Sequence, residues 1–171
     1  MLIETERLMI TEFTMDMARI VQANSVDEDN KRFVPDEAWD TVEEAEETLE
    51  FLISRYESSE GPFVYPVIIK ETQENIGYVQ LCSIDDGHWE IGYHLARKHT
   101  GKGYATEAVK AFLPAISRQA GISEIYGICL EENKASQAVL IKCGFETIFR
   151  GIGKYQGTDK GIVRNIWRAC L

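Results

Sequence analysis

Apolar positions along the chain follow two periods, and the switches between them mark out the elements. A first strand is expected near residues 7–11, and a short helix near residues 15–22 behind the cap Thr14. Polar, acidic sequence then runs to Trp39. At Thr41-Val42-Glu43-Glu44 a capping box opens a segment in which Val42, Ala45, Leu49, Leu52, Ile53 and Tyr56 recur at helical spacing. Gly61-Pro62 ends that helix. Phe63–Ile69, residues 76–83 and residues 89–95 read as strands separated by residues 71–75 and by Asp85-Asp86-Gly87, an antiparallel meander. Beyond Gly101-Lys102-Gly103, Ala105, Ala108, Val109, Phe112 and Ile116 return to the 3.6 period. Pro114 within that helix removes one backbone hydrogen bond and predicts a kink or a tighter turn. Glu124–Leu130 is the next strand, Asn133 caps a short helix that stops at Gly144, and strands at Glu146–Tyr155 and residues 162–170 flank a turn at residues 157–161.

The order β-α-α-β-β-β-α-β-α-β-β requires an α/β (α+β) fold, a mixed sheet of about seven strands with about four helices on it. No repeat, low-complexity tract or linker divides the sequence, so residues 1–171 are expected to form a single domain.

Composition narrows the function classes. A hydrophobic content of 44% and a charged content of 27% are those of a soluble protein, and no run approaches the roughly 18 apolar residues of a membrane span. Acidic residues in Met1-Leu2-Ile3-Glu4-Thr5-Glu6-Arg7 stand where a secretory signal needs basic ones, which predicts a cytoplasmic location. Cys82, Cys129, Cys143 and Cys170 lie far apart, and His88, His94 and His99 lack ligand spacing, so neither a disulfide framework nor a metal is expected. A net charge of −10 argues against nucleic acid as a partner and suits a cationic one.

Candidate chemistry begins at the strand, glycine loop and helix around Gly101 and Gly103. Backbone N–H groups converge there with the positive end of a helix dipole, an arrangement that holds anions. A nucleoside triphosphate loop needs Ser or Thr after Gly-Lys, whereas here Gly103 is followed by Tyr104. A dinucleotide fold needs a third glycine where Thr106 stands, and an acidic residue ending the next strand, whereas Glu124 begins it. The pyrophosphate of coenzyme A, or a structural turn with no ligand, remains.

Glu90-Ile91-Gly92-Tyr93-His94-Leu95 followed by Thr100-Gly101-Lys102-Gly103-Tyr104-Ala105-Thr106-Glu107-Ala108 closely resembles the acetyl-CoA loop of GNAT acetyltransferases, Q/R-x-x-G-x-G/A. Gly103 and Ala105 take its last two positions and Thr100 takes the Q/R position. Asn133-Lys134-Ala135-Ser136, Leu140 and Cys143-Gly144-Phe145-Glu146 resemble the family's second signature. Thr5-Glu6-Arg7-Leu8 and Ile91-Gly92-Tyr93 are similar to its RimJ/RimL-like branch.

The resemblance implies a GNAT-type, mostly antiparallel twisted sheet and transfer of an acetyl group from acetyl-CoA to a primary amine, by direct attack in a ternary complex. The pantetheine arm is then expected along the strand ending at Leu95, the pyrophosphate on the N–H groups of Thr100, Gly101, Lys102, Gly103, Tyr104, Ala105 and Thr106, and the thioester carbonyl on a strand N–H near Tyr93. Asn133 and Ser136 become coenzyme contacts, Ser136 also a proton donor to the thiolate. An ammonium must lose a proton before it attacks; strand alternation sets Glu90, Gly92 and His94 on one face, with Glu90 as first candidate base and His94 as second. Tyr155 is expected to border the acceptor site, and residues 26–40 to cover it or to form an ordinary surface loop. Acceptors range over protein N-termini and small-molecule amines, with a monomer or homodimer as the assembly. A non-catalytic acyl-CoA-binding module and a nucleotide-dependent oxidoreductase are the competing functions.

Overall fold

The computed structural model describes residues 1–170. Its strands are β1 (Ile3–Glu4), β2 (Leu8–Ile10), β3 (Phe63–Ile69), β4 (Asn75–Ile84), β5 (His88–Leu95), β6 (Glu124–Leu130), β7 (Glu146–Tyr155) and β8 (Thr158–Arg168). Its α-helices are α1 (Ala18–Ser25), α2 (Glu28–Phe33), α3 (Val42–Arg55), α4 (Tyr104–Ala120) and α5 (Lys134–Lys142). One sheet has the order β1-β2-β3-β4-β5-β6-β8-β7. Every neighbouring pair is antiparallel except β5 with β6.

The two sheet faces are covered by different helices. Ala108, Val109, Phe112, Leu113 and Ile116 of α4 pack on Tyr65, Val67, Val79, Leu81 and Ile91, and Leu140 of α5 joins the same core. Each large apolar side chain fully buried there contributes about 1.5–3 kcal/mol. On the opposite face Leu49 and Leu52 of α3 pack with Phe13, Ala18 of α1 and Val64 of β3. β3, between the two layers, is buried at every position. The capping box of α3 is formed in both directions: Glu44 N–H donates to Thr41 Oγ1 at 3.2 Å, and Thr41 N–H donates to Glu44 Oε2 at 3.4 Å. Such a cap contributes about 1 kcal/mol.

The sheet has eight strands where the sequence predicted about seven, and five α-helices are present among the described residues where about four were expected. The additional strand is the two-residue β1, which folds back on β2 through a turn in which Leu8 N–H donates to Thr5 Oγ1 at 2.9 Å. The additional helix, α2, lies in the polar run; Asp27 caps it by accepting from Asp29 N–H at 3.1 Å. Neither is long enough to carry a period. α1 starts three residues later than predicted because Met15–Met17 form a 3₁₀ turn. Pro114 does not produce a tighter turn: α4 runs as α-helix through it to Ala120, held by its buried face.

Candidate active site

Parallel β5 and β6 are paired in register at one position, Glu90 with Tyr126, whereas β5 is paired with β4 along its whole length. Beyond that pair the outer edge of β5 is left without a strand partner. Each of the two strands leads into a helix, so the N-termini of α4 and α5 both stand at their carboxyl ends, where open parallel sheets bind ligands. A cavity of about 620 Å³ fills the divergence, walled by Ile91, Gly92, Tyr93 and Leu95 on one side and by Gly127, Ile128 and Cys129 on the other.

The loop before α4 closes one end. Gly101 and Gly103 have φ of 73° and 81°, in the left-handed region, and Gly103 is the N-cap of α4. No side chain caps this 17-residue helix, so its first-turn N–H groups are free for an anion. Thr100, Gly101, Gly103, Tyr104, Ala105 and Thr106 line the cavity, as do Tyr93, Leu95, Asn133 and Ser136. Lys102 does not line it. Its carbonyl instead accepts from Arg7 Nη1 at 2.9 Å. The Thr100 hydroxyl turns back onto the loop and donates to the Arg97 carbonyl at 2.8 Å.

Arg7 braces this loop from β1–β2. Its Nε donates to Glu107 Oε2 at 2.7 Å, its backbone N–H donates to Glu107 Oε1 at 2.9 Å, and its guanidinium lies 4.5 Å from the centroid of the Tyr104 ring. Burial pushes the Glu107 carboxyl up, but the bonds from Thr5 and Arg7 outweigh it and hold the group below its usual range. In the sequence Thr5-Glu6-Arg7-Leu8 carries only a resemblance; the contacts Arg7 makes are not legible there.

At the α5 end, Asn133 Oδ1 accepts from Ser136 N–H at 3.1 Å, the expected cap. The Ser136 hydroxyl does not return to its own backbone: it meets the Tyr93 hydroxyl at 2.9 Å, and Tyr93 also donates to the Ser136 carbonyl at 3.1 Å. Burial raises the Tyr93 phenol, with Ser136 opposing it, so the group stays protonated. The sequence points only to the Tyr93 backbone, and the hydroxyl contact adds the side chain.

The other sheet face carries carboxylates. Glu90, Gly92 and His94 of β5 stand beside Cys82, Gln80 and Tyr78 of β4, in agreement with the predicted alternation. Burial pushes the Glu90 carboxyl up to about 7, against the opposing effects of a hydrogen bond with the Ile128 backbone and the charge of Arg164. His94 Nε2 is buried without a hydrogen-bond partner among the described residues, 3.8 Å from Asp27 Oδ1, and burial lowers its pKa. Glu37, which the sequence did not single out, comes from a 3₁₀ turn after α2: the Tyr78 hydroxyl donates to its Oε2, and Gln80 Nε2 donates to its Oε1 at 3.4 Å. The Tyr155 hydroxyl lines the cavity and donates to the Phe33 carbonyl at 3.4 Å, its pKa pushed up to about 12 by burial first and then by Glu90. Residues 26–40 supply Asp29, Phe33, Val34 and Glu37 to the cavity wall, while Trp39 lies outside it. Gln156 Nε2 also donates to the Phe33 carbonyl, at 3.3 Å, so the β7–β8 tip meets α2 over the cleft.

An anion cradle, a free strand edge and a hydroxyl pair thus open onto one side of a passage through the sheet, and a carboxylate titrating near neutrality opens onto the other. Known proteins resemble this chain in sequence and in fold. The N-acetyltransferase YoaA of Bacillus subtilis, itself uncharacterised, is 24% identical over 147 residues, 85% of this chain and 82% of YoaA. A GNAT-family acetyltransferase structure from Bacillus anthracis superposes with a TM-score of 0.81 at 23% identity, covering 98% of both chains. RimL, a ribosomal L7/L12 α-N-protein acetyltransferase solved in complex with coenzyme A, gives 0.81 at 17% identity over 98% of both chains. No helix among the described residues is long and apolar enough to cross a membrane. Because the family model for the acetyltransferase (GNAT) domain matches residues 7–146, the chain belongs to the GNAT family and is an acetyltransferase.

Proposed function

We propose that residues 1–171 act as one cytoplasmic domain that transfers the acetyl group of acetyl-CoA to a primary amine within a ternary complex. The observation that carries the reading is the divergence of β5 and β6, which opens both sheet faces into one cavity. The glycine cradle and uncapped α4 terminus fit a pyrophosphate, and the unpaired edge of β5 fits an amide-bearing arm. Acetyl-CoA, as co-substrate, supplies the thioester that the amine attacks.

The roles of the side chains follow from their faces. Glu90 accepts a proton from the acceptor ammonium, releasing the lone pair that forms the new C–N bond. A backbone N–H of β5 near Tyr93 donates to the carbonyl oxygen as charge builds on it. Ser136, hydrogen-bonded to Tyr93, donates a proton to the thiolate as the C–S bond breaks, and the proton that the newly acylated nitrogen sheds restores the hydroxyl. RimL's described action on L7/L12 includes a protein α-amine among acceptors to test.

A free-thiol assay with acetyl-CoA against peptides of different N-termini, polyamines, aminoglycosides and simple amines tests the reading. Acceptor-dependent thiol release supports it. Tight coenzyme binding with no release across the panel overturns the amine acceptor and favours a binding module.

A further inference from the structure

The transfer chemistry leaves one neighbouring chamber unused. A second cavity of about 260 Å³ lies on the same sheet face as Glu90, under α1 and α3. Glu37, Tyr78, Gln80, Cys82 and His94 line both chambers, so β4 floors the two and the Glu37–Tyr78–Gln80 cluster forms their junction. Away from that junction the lining is dominated by Phe13, Val21, Trp39, Leu52, Pro62 and Val64. A water site needs only about 10–15 Å³, and native interiors hold few voids larger than one water, so this volume is room for a ligand group. Phe51, 51% exposed, stands among its walls beside solvent.

We infer that this chamber receives the apolar part of the acceptor, which makes the preferred substrate a primary amine bearing an aliphatic or aromatic group close to its nitrogen. The inference rests on the transfer reading above and extends it to substrate class. Glu37 and Glu90 both face the main cavity, and neither forms an ion pair among the described residues. An ammonium at the junction satisfies Glu37 on its way to Glu90, while the carbon skeleton leaves water for the apolar walls. Polyamines and aminoglycosides would instead strand charges or hydroxyls against those walls, where no partner meets them. Two lining residues, Asn75 and His94, each carry a buried nitrogen, Nδ2 and Nε2, with no hydrogen-bond partner among the described residues.

A free arylalkylamine and a peptide with an apolar first residue share this chemistry, and the experiment separates them. Initial rates are measured for phenethylamine and leucinamide, for ethanolamine and serinamide as polar matches, for Leu- and Ser-initiated peptides, and for spermidine. kcat/KM for the apolar member of each pair is expected to exceed its polar match about tenfold or more. If only the peptide pair shows that gap the acceptor is a polypeptide; if only the small pairs do, it is a metabolite-sized amine. Thr48→Phe, at a half-buried helix position in the chamber wall, should lower the phenethylamine-to-ethanolamine ratio about tenfold. Equal rates for apolar and polar amines, or a preference for spermidine, overturn the inference. Melting temperature with coenzyme A and phenethylamine is read in parallel, without turnover. A phenethylamine-dependent rise that Thr48→Phe abolishes, with no amine acetylated, would uphold the chamber and sink the transfer reading; no rise and no turnover would sink both.

Discussion

The Tyr93 and Ser136 hydroxyl oxygens lie 2.9 Å apart, one carried by β5 and the other by the first turn of α5, so the pair spans the mouth of the β5–β6 divergence. Two hydroxyls in series can pass a proton without either becoming ionised for long. Ser136→Ala removes one of them yet leaves the Tyr93 hydroxyl bonded to the Ser136 backbone carbonyl, so the fold should persist. Loss of a general acid lowers kcat by roughly 100-fold or more, and coenzyme affinity should change far less. Tyr93→Phe is expected to lower kcat in the same direction. Full kcat in both variants would remove the pair from proton transfer.

Glu90 links activity to stability with opposite signs. With a carboxyl pKa of about 7, kcat/KM should rise through neutral pH and level off above it. Glu90→Gln is expected to flatten that profile and to slow transfer by roughly 100-fold. Stability runs the other way. A carboxyl raised from 4.5 to about 7 favours the neutral form in the fold, so its contribution is full below pH 4.5 and is lost as pH climbs through 7. The loss is on the order of 3 kcal/mol. Glu90→Gln should therefore raise the melting temperature at pH 8 by several degrees and leave it nearly unchanged at pH 4, which paired thermal scans can read. Equal melting shifts at both pH values would show that Glu90 does not titrate as its burial demands.

Arg7 acts on the loop proposed to hold the coenzyme through Lys102, Tyr104 and Glu107, and is a positioning residue. Arg7→Ala should weaken acetyl-CoA binding by about tenfold, the size of one lost charge-assisted contact set, while kcat at saturating coenzyme stays within a few fold. Gly103→Asp separates binding from folding more sharply. A Cβ at Gly103 would sit 3.3 Å from Arg7 Nη2 with φ at 81°, and the added carboxylate would stand where the pyrophosphate is proposed to bind. A negative charge at a helix N-terminus stabilises the helix itself, so binding should be lost with a smaller melting penalty than an uncharged side chain would cause. Calorimetric titration with acetyl-CoA checks both variants, and retained affinity in Gly103→Asp would mean that the loop is not the pyrophosphate site.

Legibility in the sequence tracked how strongly an element's residues depend on local pattern. Phe63–Ile69, Glu124–Leu130 and Glu146–Tyr155 were read with the observed bounds because their ends coincide with Gly, Pro or polar turns. α3 was legible from its capping box. By contrast, α2 is held from outside its own backbone: Asn30 Nδ2 donates to the Ser25 and Glu37 carbonyls at 2.7 and 3.1 Å, contacts that no periodicity announces. Glu37 was one acid among many in a polar run, and it joins the site only because that helix and the turn after it fold over β4. The cradle glycines were legible through the motif they sit in, whereas the Tyr93 hydroxyl was not, because nothing along β5 announces that α5 brings Ser136 to it. The divergence itself is the loss of pairing between β5 and β6 beyond Glu90 and Tyr126, and β5 has the same alternation it would have inside a closed sheet.

Gly77 offers a test of how closely β4 must approach β5 to set that geometry. It lies where the β3–β4 register shifts, opposite Val67 on one side and Leu95 on the other. Its φ is 147°, and a Cβ placed there would fall 2.0 Å from the His94 carbonyl oxygen and 2.9 Å from the Leu95 Cα. Both atoms belong to backbone, so no rotamer change relieves the clash; β5 itself would have to move, and with it the wall of the cavity. Gly77→Ala should cost more than about 4 kcal/mol, beyond the range of ordinary substitutions. The expected signature is a large fall in the urea midpoint, with residual activity lost in any protein that folds, because His94 and Leu95 carry the end of β5 against which the coenzyme is proposed to lie. A midpoint close to the wild-type value would show that the two strands can separate without disturbing the sheet, and that the spacing of β4 and β5 is not what fixes the divergence.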